Sequence, residues 1–199
     1  PVTQLLHEGK RIAGARVRDE LGGNQYDVRA RVVINATGIF ADQIHGLDGR
    51  ATAKPRPLSK GTHLVFAEED VPLSTTIVFA SPLDGRSLFL AKHEACFLYG
   101  TSDHWEEASP DLPIPALTDV EYLLKSLNQF MPEAQLDRSK VQFVYSGFRP
   151  LITNGNQSDS SSVTREDLIE VSPSGLVSVV GGKLTTARIT AVRVLDRVM

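Results

Sequence analysis

The feature that most constrains the fold is an apolar run near the end of the chain that stops at two glycines and a lysine. The run occupies residues 176–180, and Gly181, Gly182 and Lys183 follow it. Because it is short and rich in valine, it predicts a strand buried on both faces, and the periodic segment behind it predicts a helix. Glycines permit positive φ, and a helix start presents backbone N–H groups and a positive dipole end. This turn could therefore hold an anion or a cofactor phosphate.

Two other interpretations of the Gly-Gly-Lys turn have to be weighed against a general anion or cofactor site. The first is a tight strand-to-helix turn that carries a surface lysine. The second is a nucleotide-binding P-loop, which requires Ser or Thr directly after the lysine and a glycine six residues before it. Leu184 and Val177 occupy those two positions. The spacing excludes the P-loop and leaves the other two interpretations open.

Composition narrows the class of protein. With 199 residues, of which 41% are hydrophobic, the chain can build one large domain or two small ones. A net charge of -3 gives no broad basic field, so no nucleic-acid partner is expected. One cysteine, Cys96, rules out an internal disulfide framework. No run has the length of a membrane-spanning helix. Because the chain starts at Pro1 and not at a methionine, we expect a fragment of a longer protein.

The first quarter of the chain predicts a hairpin that leads into a different sheet. Strand patterns at residues 11–18 and 26–34 flank a turn at residues 22–24. The second pattern changes from alternating to wholly apolar, as expected where a strand enters a buried parallel sheet. A short helix is predicted at residues 39–44, followed by an extended crossover at residues 54–57 near a domain boundary.

The middle of the chain predicts a mostly antiparallel sheet covered by a helix. A capping box at Thr118 and Glu121 starts the predicted helix, which ends before Pro132. A half-exposed strand ends at Arg149, and a polar segment at residues 153–162 predicts a mobile loop before Arg165. The other predicted strands lie at residues 61–66, 76–79, 87–90 and 96–101.

Three motifs, taken together and in order, resemble FAD-dependent glycerol-3-phosphate dehydrogenase. They are Ala-Thr-Gly at 36–38 after an apolar strand, Ser-Lys-Gly-Thr-His at 59–63, and Gly-Gly-Lys-Leu-Thr-Thr at 181–186. Weaker matches at residues 100–103, 146–151 and 164–166 fall in the same order as in that family. Each motif alone is unspecific, but the series spans nearly the whole chain.

The resemblance implies a flavoprotein of the D-amino-acid-oxidase type. Such an enzyme oxidises sn-glycerol 3-phosphate to dihydroxyacetone phosphate with FAD and passes the electrons to quinone. The location implied is cytoplasmic, with the longer protein peripheral at the inner face of the cell membrane. No Gly-x-Gly-x-x-Gly occurs in these 199 residues, so we expect the fragment alone to be inactive and to bind FAD weakly or not at all.

The resemblance also implies the fold class, α+β in this chain and α/β in the longer protein. Residues 1–55 would hold the hairpin and a remnant of a Rossmann-like FAD-binding domain. Residues 56–175 would form the substrate-binding domain, a mostly antiparallel sheet with covering helices. Residues 176–199 would return to the FAD-binding domain with a strand, the Gly-Gly-Lys turn and a helix.

The site residues follow from matching positions in the motifs. Arg149 and Arg165 match the family's phosphate-binding arginines, and Lys183 would face the substrate oxygens, so these three cations are expected to converge on the phosphate. His63 would lie near the C2 hydroxyl as a proton acceptor, and Thr101 would add a hydroxyl contact. No metal site is expected. The residues assigned to FAD are Thr37, Gly38, Gly181, Gly182, Leu184 and Thr185.

Two departures from the family pattern keep other functions open. Ala-Lys-His at residues 91–93 replaces an apolar residue followed by Pro and Trp, and Ala187 replaces a common Tyr. One alternative is a non-catalytic phosphate- or anion-binding module that uses the same arginines. The other is a related FAD-dependent oxidase of another hydroxy or amino substrate. A dinucleotide fingerprint upstream would favour a flavoenzyme, and a requirement for phosphate would favour the dehydrogenase.

Overall fold

The computed structural model describes residues 1–50, 58–106, 111–152 and 166–199. The predicted crossover at 54–57, the predicted loop at 153–162 and Arg165 lie outside these ranges. The described residues divide into two compact units. The first, here called the terminal unit, contains residues 1–50, 150–152 and 166–199. The second, the central unit, contains residues 58–106 and 111–149.

The terminal unit begins with an antiparallel three-stranded sheet. Its strands are β1 (Val2–Glu8), β2 (Arg11–Arg18) and β3 (Gln25–Arg29), paired in chain order. The predicted hairpin is confirmed, because β2 and β3 pair around residues 22–24. However, β3 ends at Arg29 and does not run on to residue 34, since the chain must leave this sheet before it joins the next one. The strand β1 was not predicted from the sequence.

A second sheet in the terminal unit joins distant parts of the chain. Its order is β11 (Asp167–Val171), β12 (Val177–Gly181) and β4 (Ile34–Asn35). β12 runs antiparallel to β11 but parallel to β4, with Val177 opposite Ile34. The prediction that the first apolar strand enters a parallel sheet is therefore confirmed.

Short helices follow both of the parallel strands. Behind β4, one 3-10 turn leads into α1 (Ala41–Leu47), which includes most of the predicted helix. Behind β12, another 3-10 turn at Leu184–Thr186 leads into α3 (Ala187–Asp196). The helix predicted after the Gly-Gly-Lys turn is thus present, and its first α-helical residue is Ala187.

The central unit is built on one antiparallel sheet of six strands. The main order is β10-β5-β8-β7-β6, and β9 pairs with the first residues of β5. The mostly antiparallel sheet and the α+β class predicted from the sequence are confirmed, whereas β9 was not predicted. The strands are β5 (Leu58–Ala67), β6 (Ile77–Ala80), β7 (Ser87–His93), β8 (Cys96–Gly100), β9 (His104–Glu106) and β10 (Val141–Arg149).

Helix α2 (Leu117–Phe130) covers one face of this sheet, here called the α2 face. The predicted capping box at Thr118 and Glu121 is wrong. Ala116 is the N-cap residue, and its N–H donates to Asp119 Oδ2 at 3.2 Å. Asp119 is buried against the sheet, whereas Glu121 faces solvent and pairs with Arg138. The helix therefore starts at Leu117, because the buried Asp119 and not the exposed Glu121 accepts the hydrogen bond from the N-cap residue.

The core of the central unit lies between α2 and the sheet. Its aromatic and aliphatic side chains come from β5 to β8 and from one stripe of the helix, as expected for an amphipathic helix on a sheet. On β10, Val144 packs against this core, while Phe143 and Tyr145 lie on the other face. The fully buried members include Leu64, Phe66, Leu88, Leu90, Phe97, Tyr99, Leu123 and Leu127.

The predicted domain boundaries near residues 55 and 175 stay predictions. Among the described residues, none of the helices combines the length and hydropathy needed to cross a membrane.

Candidate functional site

Strand β5 divides the Ser-Lys-Gly-Thr-His motif between two faces of the central sheet. Successive side chains of a strand point to opposite faces. Lys60 and Thr62 lie on the α2 face, where both are buried and Thr62 Oγ1 donates to Asp119 Oδ2 at 2.9 Å. Ser59 and His63 lie on the opposite face, here called the site face. The motif therefore contributes to the site with every second residue.

Arg149 is the centre of a hydrogen-bonded cluster on the site face. Its Nη1 donates to Ser59 Oγ at 3.0 Å and to Asp103 Oδ1 at 3.2 Å. Its Nη2 donates to Thr101 Oγ1 at 3.0 Å. Ser59 Oγ in turn donates to Asp103 Oδ1 at 2.5 Å. Because partners on three sides hold the guanidinium, its plane is fixed before any substrate arrives.

The structure thus brings two predicted residues, Arg149 and Thr101, into direct contact. Ser59 and Asp103 were not predicted, although both lie within the motifs that carried the resemblance. Asp103 is the more informative omission, because its carboxylate is largely buried beside the guanidinium. A buried acid needs a partner, so an Asp directly behind a strand end was the sequence signal that could have identified Asp103 as part of the site.

Gly61 makes this cluster possible. A Cβ atom at this position would lie 2.1 Å from Arg149 Nη2 and 2.5 Å from Thr101 Oγ1. The guanidinium therefore lies directly across the backbone of β5, in space that any other residue would fill. Gly147, which pairs with Gly61 on β10, has no such neighbour within 4 Å.

His63 lies beside the arginine cluster and stacks on Tyr145. The ring centroids are 4.9 Å apart and the ring planes differ by 6°. Burial lowers the pKa of His63 below its usual value of 6.5, and the positive charge of Arg149 lowers it further. The imidazole is therefore held mainly neutral at neutral pH and can accept a proton.

A buried ionic cluster supports β5 from the α2 face. Lys60 Nζ lies 2.5 Å from Glu106 Oε2 and donates to the backbone oxygen of Ile114 at 3.0 Å. Asp119 Oδ2 lies 3.8 Å from the same nitrogen. The lysine of the motif therefore stabilises the contacts among β5, β9 and α2, and it belongs to the support of the site.

In the terminal unit, a groove of about 610 Å³ lies where the parallel strands β4 and β12 end. In sheets of this kind, ligands bind outside the carboxyl ends of parallel strands. Of the predicted residues, Gly38, Gly181, Gly182, Lys183 and Leu184 line the groove. Thr37 and Thr185 are not part of this lining. The remaining lining residues are small or apolar except Thr190: Ile34, Ala36, Val179, Ala187, Thr190, Ala191, Val194 and Leu195.

Positive φ angles explain why glycines stand at the edge of the groove. Gly38, Gly181 and Gly182 have φ of 59°, 81° and 83°. A Cβ at Gly181 would lie 2.6 Å from the backbone oxygen of Glu166, so that glycine also permits close contact with the chain before β11. At Gly38 a Cβ would meet nothing within 4 Å. The backbone at Gly38 is thus open to a ligand.

Thr37 has a structural contact of its own. Its hydroxyl donates to Asn35 Oδ1 at 2.6 Å, and Asn35 is buried at the end of β4.

Lys183 stands exposed before the 3-10 turn, and its backbone N–H and C=O bond to the hydroxyl of Thr186. Within the described ranges, no group of three or more His, Cys, Asp or Glu side chains could hold a metal ion.

The groove suits part of a dinucleotide cofactor. Its apolar walls fit a flat ring system, and the glycine turns give a phosphate or ring edge close access to the backbone. Helix α3 follows the Gly-Gly turn after one 3-10 turn, and its first residue, Ala187, lines the groove. The residues present therefore fit such a group.

Comparison with known proteins assigns the chain to a family. A family model described as DAO, FAD dependent oxidoreductase, matches residues 1–193. The mitochondrial glycerol-3-phosphate dehydrogenase of Macaca fascicularis is 34% identical over 179 residues, which cover 89% of this chain and 24% of that protein. The aerobic glycerol-3-phosphate dehydrogenase of Bacillus subtilis is 34% identical over 197 residues, 99% of this chain and 35% of that protein.

Solved structures agree with this assignment. A glycerol-3-phosphate dehydrogenase from Bacillus halodurans, complexed with FAD, matches with a TM-score of 0.88 and 30% identity, over 100% of this chain and 38% of that one. A glycine oxidase from Geobacillus kaustophilus matches with a TM-score of 0.61 and 17% identity, over 98% and 46% of the two chains. The second match shows the fold alone.

The chain spans about a quarter to a third of the length of the curated relatives it matches. Within that span, the family model covers nearly every residue, and the motifs that suggested the resemblance occur in the matched region. The resemblance inferred from the sequence is confirmed at the level of the family. The chain belongs to the DAO family of FAD-dependent oxidoreductases.

Proposed function

We propose that this chain carries the substrate-binding part of an FAD-dependent glycerol-3-phosphate dehydrogenase. The observation that carries the proposal is the site face of the central unit, where a fixed guanidinium, Arg149, lies beside a mainly neutral imidazole, His63. A phosphate monoester needs the first group and an alcohol to be oxidised needs the second. The relatives named glycerol-3-phosphate dehydrogenase support this substrate.

In this proposal, Arg149 binds the substrate phosphate and thereby orients the three-carbon chain. Thr101, which holds Nη2 of that arginine, contributes a hydroxyl at the same place. Arg165 and Lys183 are proposed as further ligands of the substrate oxygens on the basis of the resemblance. Paired charged groups in a fixed geometry recognise a phosphate more selectively than mobile surface cations do.

His63 is proposed to accept the proton of the C2 hydroxyl. Loss of that proton together with the C2 hydride converts the secondary alcohol into the ketone of dihydroxyacetone phosphate. Bound FAD supplies the hydride acceptor for this reaction. The lowered pKa of His63 keeps the accepting nitrogen unprotonated over the neutral range, so the residue is ready when substrate binds.

The terminal unit is proposed to hold part of the FAD. Gly38, Gly181, Gly182 and Leu184 line the groove at the ends of β4 and β12. Thr37 and Thr185 are proposed to support these two turns.

Electron transfer to quinone and a peripheral position at the inner face of the cell membrane complete the proposal. They rest on the resemblance alone.

The test is the kinetics of Arg149→Ala in the full-length gene product, with glycerol 3-phosphate and glycerol compared as electron donors. Removal of a paired guanidinium from a phosphate site costs about 2 to 5 kcal/mol. We therefore expect kcat/KM for the phosphorylated donor to fall by about 30-fold to 5,000-fold. Arg138→Ala, which removes an exposed arginine of the same unit, is the matched control and should leave the value unchanged.

The outcomes separate the candidate functions. If Arg149→Ala retains its FAD and its preference for the phosphorylated donor, Arg149 is not a phosphate ligand. A full-length gene product that binds glycerol 3-phosphate without flavin would support the anion-binding module. Oxidation of another hydroxy or amino substrate without a need for phosphate would support the related oxidase.

A further inference from the structure

Resting on the proposed function, we propose that Tyr145 and Gly100 form a slot that fixes the plane of the His63 imidazole. Both would be positioning residues for the proton acceptor. The slot spans three adjacent strands of the central sheet, because β5 carries His63, β10 carries Tyr145 and β8 carries Gly100.

Tyr145 forms one wall of the slot. It pairs directly opposite His63 in the ladder between β10 and β5, so the two side chains leave the sheet side by side. Their rings stack with centroids 4.9 Å apart and planes within 6°. Such a close parallel contact restricts rotation of the imidazole about its Cβ–Cγ bond.

Gly100 forms the other wall. It pairs with His63 in the ladder between β5 and β8. A Cβ at Gly100 would lie 2.7 Å from His63 Cδ2 and 3.1 Å from His63 Cγ. The imidazole therefore lies against bare backbone, and even a methyl group there would force the ring to move.

The stack lies outside the hydrophobic core. Tyr145 keeps 38% of its surface exposed, and the next aromatic residue on the same face of β10, Phe143, keeps 62%. Leu64, one residue beyond His63 on β5, is fully buried on the other face. Packing of the core therefore does not require an aromatic ring at position 145. Positioning of His63 accounts for the ring that stands there.

The charges around the slot set the direction of the test. Among the described groups, Tyr145 stacks on His63, the positive charge of Arg149 acts on it, and Asp103 is paired with Arg149. On β5 the neighbouring residues of the same face are Gly61 and Val65, which are uncharged. Burial is the largest cause of the lowered pKa of His63. A ring freed from the slot would be better hydrated and would regain a pKa near its ordinary value of about 6.5.

The experiment compares Tyr145→Phe, Tyr145→Leu and Gly100→Ala in the FAD-loaded full-length gene product. Both kcat and the pH profile of kcat/KM for glycerol 3-phosphate are measured for each variant. Among the described residues, no hydrogen bond of the Tyr145 hydroxyl is found, so Tyr145→Phe keeps the stack and should match the wild type. Tyr145→Leu and Gly100→Ala should lower kcat by at least about 10-fold, a fraction of what a general base contributes. In both, the acid limb should move to higher pH.

The outcomes distinguish this inference from the proposed function. If the wild type carries FAD and oxidises glycerol 3-phosphate, but Tyr145→Leu keeps its kcat and its acid limb, the slot is refuted and the function stands. If the wild type itself shows neither flavin nor this activity, the proposed function fails and the slot fails with it. If Gly100→Ala does not fold, Tyr145→Leu alone tests the slot. The side chain of Tyr145 is partly exposed, so its replacement should not prevent folding.

Discussion

At the scale of single residues, the site depends on the groups that hold the Arg149 guanidinium in place. Asp103 and Ser59 hold one side of the Arg149 guanidinium, and Thr101 holds the other. Asp103 also reduces the positive charge available to a phosphate. A fixed orientation is thus gained at the expense of part of the electrostatic attraction.

Ser59→Ala tests this arrangement through stability. The substitution removes the hydroxyl between Arg149 and Asp103 and leaves a largely buried carboxylate without one of its donors. We expect a loss of about 1 to 3 kcal/mol in the free energy of unfolding, measured by urea denaturation. The matched control is Ser139→Ala, whose hydroxyl donates to Asp137 at the same 2.5 Å but at an exposed site. A loss of less than about 0.5 kcal/mol is expected there. Equal losses in both variants would contradict the argument.

At the scale of elements, β5 organises the central unit because its two faces have different tasks. The α2 face carries a buried ionic cluster around Lys60, which ties β5 to β9 and to the start of α2. The site face carries the arginine cluster and the stacked histidine. Between them the backbone at Gly61 is so closely covered that it has no room for a side chain.

Gly61→Ala should therefore displace Arg149 without unfolding the strand. The clashing atoms are the ends of two side chains, Arg149 and Thr101, which can move away. We expect KM for glycerol 3-phosphate in the full-length gene product to rise by at least about 10-fold, equivalent to about 1.4 kcal/mol of lost phosphate binding. Gly147→Ala places the same methyl group on the paired position of β10, where nothing lies within 4 Å, and should leave KM unchanged. A Gly61→Ala protein with normal KM would show that the guanidinium position is unimportant.

The sequence predicts these elements better than it predicts their contacts. Short strand-type runs between turns predicted most of the central strands, and motif order predicted Arg149 as a site residue. It could not identify Ser59 or Asp103 as partners of Arg149, because they lie 90 and 46 residues away along the chain. Nor could it assign Lys60 to the α2 face, because that depends on where a helix packs. Tyr145 was predicted only as part of a strand, since nothing local distinguishes a stacked tyrosine from a core residue.

At the scale of the whole molecule, the chain carries only part of what its relatives contain. It matches about a quarter to a third of their length. The groove at the ends of β4 and β12 offers glycine turns and apolar walls. However, no Gly-x-Gly-x-x-Gly occurs in the 199 residues, and that fingerprint is what binds the pyrophosphate in dinucleotide folds.

We predict that the 199-residue chain alone retains little or no FAD, whereas the full-length gene product retains it. Flavin absorbance per protein after gel filtration measures this directly. A groove that contacts only part of the cofactor cannot offset the loss of translational and rotational freedom on binding. A stoichiometric yellow preparation of the chain alone would contradict the prediction.

The last prediction concerns a pair of variants on α3 that test the groove itself within the full-length gene product. Ala191 on α3 lines the groove, so Ala191→Phe should fill it and lower the retained flavin. Ile189 lies on the same helix, is 63% exposed and is not part of the lining, so Ile189→Phe should leave the flavin content unchanged. If both variants keep full flavin, the cofactor does not occupy this groove. If Ala191→Phe alone loses it, the groove is part of the FAD site, because both variants place the same phenyl ring on one helix and differ in the surface it covers.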